Sequence, residues 1–337
     1  MDRFFFLLNF RYSMRLGYSL GSVLSINEVL NCVSTLTNYK PDSVWIPETW
    51  GMENFSMLSA IAQKLENSRI GSSIINIYSR SPTLIAMGAA TVDTISNGRL
   101  ILGLGTSSIP IVEEFHGYHF DNPLTRMSEY VQIIRKTLSG KKIDFNGKIF
   151  SLKNFSLLIK PTRNNIPIYL AAVNQKMVEL CWQIADGAIF YLRPISELEN
   201  TIKKMQSKRE IDVSCQLITC MSKDVEIAIK QVKKTLAFYI SVGEIYRDFL
   251  ANNGFKNETK DIFEEYKKSG LKSNYELVPE SMINQLCVYG TPDDCIKKLK
   301  IFQNAGVNLP IIQFNPVGDV NESFNLLAST FSQIENE

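Results

Sequence analysis

The sequence predicts an α/β protein, a (β/α)8 TIM barrel with insertions at the C-terminal face of the strands. Three observations carry this reading. Short apolar, β-branched runs alternate with longer segments of helical period, the rhythm of parallel βα units. Eight such runs can be counted, which is the number that closes a barrel. The competing architecture, a doubly wound open sheet for a dinucleotide, needs a G-x-G-x-x-G turn, and neither Gly17-Tyr-Ser-Leu-Gly21-Ser nor Gly103-Leu-Gly105-Thr-Ser-Ser108 has that spacing.

The elements follow in chain order. Residues 1–13, MDRFFFLLNFRYS, are apolar but lack a small-residue cleavage site, so they read as an N-terminal extension or a start assigned too early, ahead of one domain over 14–337. The first strand is 15–20 (RLGYSL), followed by a helix at 25–38, a strand at 42–47 (DSVWIP) and a helix at 54–66. Residues 69–76 form a third strand, apolar enough to be covered on both faces, and Pro82 opens the helix at 83–96. Strand 99–105 (RLILGLG) leads through a long connection, 106–123, to a helix at 124–139. A second connection, 140–166, holds a predicted hairpin, KKIDFNGKIFSL, turning at Asn146-Gly147. Strand 167–172, helix 175–185, strand 187–191, helix 195–207, strand 214–220 and helix 224–253 continue the alternation. Charged helical material at 254–290 precedes the last units. There Thr291-Pro292-Asp293-Asp294 caps a helix at 292–305, before strand 309–315 and a helix at 321–333. Long excursions of this kind usually shape the active site of a barrel.

Composition narrows the partners. With 36 basic and 34 acidic residues the net charge is +2, no field for nucleic acid or an anionic membrane, so a small molecule or a second copy is expected. No run of 18 apolar residues suggests a membrane span. The six cysteines show no C-x-x-C pair and most lie in apolar runs, which suits a reducing cytoplasm, and the two histidines, His116 and His119, are too few to predict a metal site.

Chemistry is expected where strands end. Glu48 and Trp50 follow strand 42–47 and either line a pocket or start a loop. Asn76, Tyr78 and Arg80 emerge from 69–76 at the catalytic face, unless Arg80 pairs locally and Tyr78 packs under a loop. Gly105 and Thr106 let backbone and hydroxyl approach a flat ligand, or make a tight turn. The small residues Ala171, Ala172 and Val173 lead through Asn174 and Gln175 into a helix whose free N–H groups could hold a phosphate, or they serve close packing. His116 is a natural proton carrier, but no nucleophile motif such as G-x-S-x-G accompanies it, and a hydrogen-bonded loop histidine is the plainer reading.

Taken together, SIINIYSRSPTLIAMGAATVDTISNGRLILGLGTSS (73–108), TRMSEYVQIIRKTLSG (125–140), IPIYLAAVNQKMVELCWQIADGAIF (166–190) and VYGTPDDCIKKLKIFQNAGV (288–307) resemble the bacterial-luciferase-like barrel family, in particular its branch using the deazaflavin coenzyme F420. The resemblance runs from residue 14 to about 333. Asn76-x-Tyr78-x-Arg80-Ser81-Pro82 and Ser96-Asn97-Gly98-Arg99 are similar to the branch that reduces methylenetetrahydromethanopterin, while GTSSIPIVEEFHG is more like general deazaflavin oxidoreductases.

The resemblance implies hydride transfer between F420 and a small organic substrate, with the protein orienting the coenzyme and excluding water. It implies a non-proline cis peptide at Ser73–Ile74, with Ser73 standing where relatives often carry glycine. It places Ser73, Ile74, Asn76, Gly105, Thr106 and the turn Ala171, Ala172, Val173, Asn174, Gln175 against the coenzyme, and Glu48 near its ring, as a catalytic residue that assists proton movement or as one that shapes the substrate site. Trp50, Tyr78, Arg80 and His116 are expected around the substrate. It also implies a homodimer formed through helices of the second and third units. An FMN-dependent monooxygenase on the same fold and a non-catalytic flavin-binding barrel are the rival readings.

Overall fold

The computed structural model describes residues 14–335 apart from Ser22, so the N-terminal extension lies outside the described residues. Eight parallel strands form a closed ring: β1 (Gly17–Ser19), β2 (Ser43–Ile46), β3 (Arg69–Ser72, resumed at Ile75–Asn76), β4 (Leu100–Gly105), β5 (Ile168–Ala171), β6 (Gly187–Tyr191), β7 (Asp212–Met221) and β8 (Leu309–Phe314). β8 pairs with β7 on one side and β1 on the other, with Gly17 opposite Ile311, and this closes the barrel. The eight expected strands are all present. β3 is interrupted at the Ser73–Ile74 bond, which is cis.

Strand alternation makes two apolar layers. Outward residues such as Leu16, Tyr18, Val44 and Ile46 pack against the surrounding helices. Inward residues Trp45, Ile101, Tyr169, Ile189, Leu309 and Ile311 fill the ring. Two large rings fit inside because neighbouring strands carry glycine. A β-carbon on Gly17 would lie 2.8 Å from the Trp45 indole nitrogen, and one on Gly187 would lie 2.7 Å from the Tyr169 ring. Below them, the N-terminal end is closed by an ionic layer. Arg15 donates to both oxygens of Asp212 at 2.8 and 3.1 Å and reaches Asp42 at 3.3 Å. Arg69 also pairs with Asp42, and the Tyr169 hydroxyl donates to Asp212. Burial alone would raise the Asp212 carboxyl, but the hydrogen bonds from Arg15 and Tyr169 outweigh it and hold the pKa below the usual carboxylate value.

Three excursions depart from simple βα units. Residues 106–123 leave the carboxyl end of β4 and lie over Tyr78, whose ring stacks on Phe120. Residues 140–166 instead run along the flank of the helix Pro123–Leu138 and rejoin at the N-terminal end of β5. Their hairpin, Ile143–Asn146 with Ser151–Phe155, is present as expected. Its turn is not Asn146-Gly147 but the four residues 147–150, closed by a bond from Gly147 N to Phe150 O at 2.8 Å. The buried Glu129 carboxylate explains the shift: it accepts from the backbone N–H groups of Lys148, Ile149 and Phe150 at 2.6, 3.1 and 3.0 Å.

The third excursion follows β7. The helix expected at 224–253 ends at Val242, and after Gly243 the chain starts the separate helix Glu244–Leu250. With the helices Lys256–Ser269 and Glu280–Leu286 it forms a second apolar cluster, around Leu192, Ile218, Cys220, Leu236 and Cys287. A ninth strand, Cys287–Gly290, hydrogen-bonds to Ile218–Met221 beyond the ring. All six cysteines are buried and unpaired. No helix among the described residues is long and apolar enough to cross a membrane.

Candidate active site

The N-terminal end of the barrel is filled, so the site can only form at the carboxyl ends of the strands. β3, β4 and β5 make one side of this mouth. Asn76 pairs with Gly105 across β3 and β4, and a β-carbon on Gly105 would lie 2.5 Å from the Ile74 side chain and 3.4 Å from Ala171. Gly105 therefore makes room for Ile74 beside the cis bond. Ser73, Ile74, Asn76, Gly105 and Ala171 come together in this way, and Thr106 follows directly.

The opposite side is polar and neutral. Ser19 ends β1, Gln216 lies on β7, Gln313 on β8, and Asn315 just beyond β8; all four are buried. Around the whole mouth, Ser19 Oγ, Ser73 Oγ, Asn76 Nδ2, Gln216 Oε1 and Asn315 Oδ1 are buried polar atoms with no hydrogen-bond partner in the protein. Buried polar groups in folded proteins are normally paired, so five unpaired atoms on strands of one barrel mark a place where a ligand completes the bonding. Nearby, Tyr191 at the end of β6 packs edge-on to Tyr239 and Tyr246, and burial raises its hydroxyl well above the usual tyrosine pKa.

The expected site residues fall into three groups. Glu48 and Arg80 meet in a bidentate ion pair, with Nη1 to Oε2 at 2.7 Å and Nη2 to Oε1 at 2.6 Å. Arg80 also binds Glu53 at 2.5 Å, and Glu48 accepts the Asn54 N–H at 3.2 Å. Both Glu48 oxygens are thus engaged. Burial works against the Arg80 charge, but bonding to Glu48 and then Glu53 raises its pKa. Tyr78 is held under the 106–123 connection, donating to Asp121 O at 2.7 Å with Arg126 4.7 Å above its ring; burial raises its pKa.

Trp50, in contrast, is 56% exposed and lines a cleft of about 370 Å3 with Pro110, Ile111, Phe115 and Val242. His116 sits edge-on to Phe115 at this rim, 4.9 Å between ring centroids. In the turn after β5, Ala172 is buried, Val173 O accepts from Arg193, and the Asn174 side chain caps the next helix by accepting from Met177 N at 3.0 Å. Gln175 is exposed and bonds Glu179 at 2.9 Å.

The expectations missed Ser19, Gln216, Gln313, Asn315 and Arg193. Arg193 is buried at the end of β6, pairs with Glu197 and lies over Phe190 and Phe249, tying the β5 turn to the third excursion. The other four had a signal: polar residues at alternating positions in strands that are otherwise apolar. No group of three or more potential metal ligands occurs among the described residues.

This barrel, with its one-sided mouth, can be compared with known proteins. A model of the family described as luciferase-like monooxygenase matches residues 1–309. The chain belongs to that family. Among its luciferase-like relatives, a 5,10-methylenetetrahydromethanopterin reductase of Archaeoglobus fulgidus is 27% identical over 299 residues, covering 85% of this chain and 89% of the relative. A putative coenzyme F420-dependent oxidoreductase of Mycobacterium tuberculosis is 26% identical over 300 residues, covering 80% and 86%. Among solved luciferase-like barrels, the coenzyme F420 dependent tetrahydromethanopterin reductase from Methanopyrus kandleri superposes with a TM-score of 0.83 at 20% identity, over 94% of this chain and 98% of that one. An F420-dependent secondary alcohol dehydrogenase in complex with an F420–acetone adduct superposes with a TM-score of 0.76 at 19% identity and the same coverage. The structural likenesses carry the fold, and the family is one of enzymes.

Proposed function

We propose that this luciferase-like enzyme is an F420-dependent oxidoreductase that moves a hydride between the deazaflavin and a small organic substrate, with methylenetetrahydromethanopterin the first candidate. The observation that carries this is the set of unpaired, buried polar atoms around the barrel mouth. Ser73 Oγ and Asn76 Nδ2, beside the cis bond, fit the amide edge of a flat coenzyme, and the three unpaired oxygens of the far wall are left for the substrate. The relatives at 26 and 27% identity, named for F420 or its pterin reductase, support the choice of coenzyme and substrate.

Bound at the mouth, the deazaflavin would supply a hydride, two electrons with one proton. The chain's own part is to hold and to cover. Ser73, Ile74, Asn76, Gly105, Thr106 and the turn from Ala171 to Gln175 would hold the coenzyme, and the Glu48–Arg80 pair braces the ledges after β2 and β3. The apolar rim of Trp50, Ile111, Phe115 and Val242 would exclude water, with His116 beside it as a group able to carry a proton. No protein nucleophile takes part. Burial pushes the thiols of Cys32, Cys181, Cys215 and Cys295 up to about 12, which keeps them protonated.

Titrating the protein with F420 and, separately, with FMN, followed by fluorescence, tests the proposal. Binding of F420 in preference to FMN is the expected result. Preference for FMN would favour the monooxygenase reading that the family's description suggests, and binding of neither would leave a non-catalytic barrel. We propose further that the enzyme is a cytoplasmic homodimer. Six free cysteines suit a reducing compartment, and Leu84 and Met87 leave an exposed apolar stripe on the helix of the third unit that a second copy would cover. A monomeric mass in solution would refute the dimer.

A further inference from the structure

Resting on the proposed function and deepening it, we infer that Asn315 and Gln216 form an acceptor pair that selects substrates carrying neighbouring neutral N–H donors, such as the amino-lactam edge of a pterin. In each residue the amide nitrogen is occupied and the carbonyl oxygen is left over. Asn315 Nδ2 donates to the main-chain oxygen of Gln313 at 2.9 Å. A main-chain carbonyl can only accept, so this bond fixes the orientation of the Asn315 amide and leaves Oδ1 as its unpaired end. Gln216 Nε2 donates to Gln313 Oε1 at 3.5 Å, and Gln313 Nε2 donates in turn to the Tyr239 hydroxyl at 3.0 Å.

Gln313 thereby anchors both acceptors and is itself tied to the helix Val225–Val242. Asn315 Oδ1 and Gln216 Oε1 remain buried and unpaired, and Ser19, opposite Gln313 in the β1–β8 register, adds a third buried oxygen without a partner. Leaving such groups unpaired is costly, so the ligand that supplies donors gains what the free site lacks.

Two further facts narrow the ligand. Ser19, Gln216, Gln313 and Asn315 are uncharged side chains, so an ammonium or carboxylate buried among them would have no counter-ion there. Amide, amidine and aminopyrimidine N–H groups need none. In a ring of eight strands, β8 stands across from β4, so these acceptors face the Gly105 side from the far wall of the mouth. The coenzyme and the recognised edge of the substrate therefore belong to opposite walls.

The experiment compares calorimetric binding of pterin and of lumazine, in which an oxo group replaces the 2-amino group, to the protein saturated with oxidised F420 and to the protein alone. Pterin should bind about tenfold more tightly, because lumazine sets an acceptor against an acceptor. In Asn315→Leu and in Gln216→Leu the pterin affinity should fall about tenfold, with lumazine binding and F420 affinity unchanged. Equal binding of the two pteridines by the unaltered protein would overturn the inference, even if the variants failed to fold. So would variants that lose F420 affinity tenfold while keeping the pterin preference, since the acceptors would then read the coenzyme. Failure of the unaltered protein to bind F420 would refute the proposed function, yet the pterin to lumazine ratio on the protein alone would still decide this point.

Discussion

Glu48→Gln separates bracing from proton transfer at the best-paired acid of the site. Arg80 holds both Glu48 oxygens, at 2.7 and 2.6 Å, and the two side chains are only 10% and 14% exposed. Glutamine keeps the shape and one accepting oxygen but turns an N–H2 towards the guanidinium, so one charge-assisted bond of about 1.5–3 kcal/mol is lost. Breaking a fully buried pair costs about 3–5 kcal/mol. Here Glu53 still binds Arg80 at 2.5 Å, which softens the loss. The expected destabilisation is about 2 kcal/mol.

Unfolding entropy of about 2.1 cal/mol/K per residue turns that into a Tm lower by about 3 °C for a chain of 337 residues. A double-mutant cycle with Arg80→Met should return a coupling of about 2 kcal/mol. Since neither Glu48 oxygen is free, F420 affinity should not change and turnover should stay within about threefold. An unaltered Tm with turnover reduced a hundredfold or more would refute the bracing role and make Glu48 the proton carrier that the family resemblance implies.

Three other outcomes are expected. Gly105→Val drives a side chain into the space of Ile74, 2.5 Å away, and should weaken F420 binding at least about tenfold in a fluorescence titration, with circular dichroism unchanged. Asp212 has a folded pKa below its unfolded value, so its contribution is complete above about pH 4 and is lost as the pH falls through the lower folded value. Urea unfolding of Asp212→Asn between about pH 5 and pH 3 should therefore vary less with pH than that of the unaltered protein, and identical slopes would count against the ionic layer. Glu129→Ala removes the acceptor for three backbone N–H groups at the hairpin tip. It should cost about 2–3 kcal/mol locally and speed hydrogen exchange at residues 148–150, and unchanged protection there would refute it.

The barrel was legible because its strands are short apolar runs followed by segments of helical period, in places with a start signal such as Ser81-Pro82 after β3. The strand Cys287–Gly290 was not, because four residues between charged helices have no period to read and become a strand only by pairing with the long end of β7. The hairpin turn moved because Glu129, some twenty residues earlier, gathers the N–H groups of residues 148–150. At the mouth, the β3 to β5 wall could be found from glycines and small residues in one segment each. The wall made by Ser19, Gln216, Gln313 and Asn315 showed in the sequence only as isolated polar positions in apolar strands, with nothing to join them. Its members lie almost 300 residues apart, and only the strand register sets them side by side.

The ionic layer of Arg15, Asp42, Arg69 and Asp212, with Trp45 and Tyr169 stacked above it, makes the barrel a blind well. A well with a single opening imposes a queue: whatever lies deepest must enter first and leave last, and two ligands cannot exchange past each other. Any ligand of the well has therefore one way in and the same way out, at the carboxyl ends of the strands.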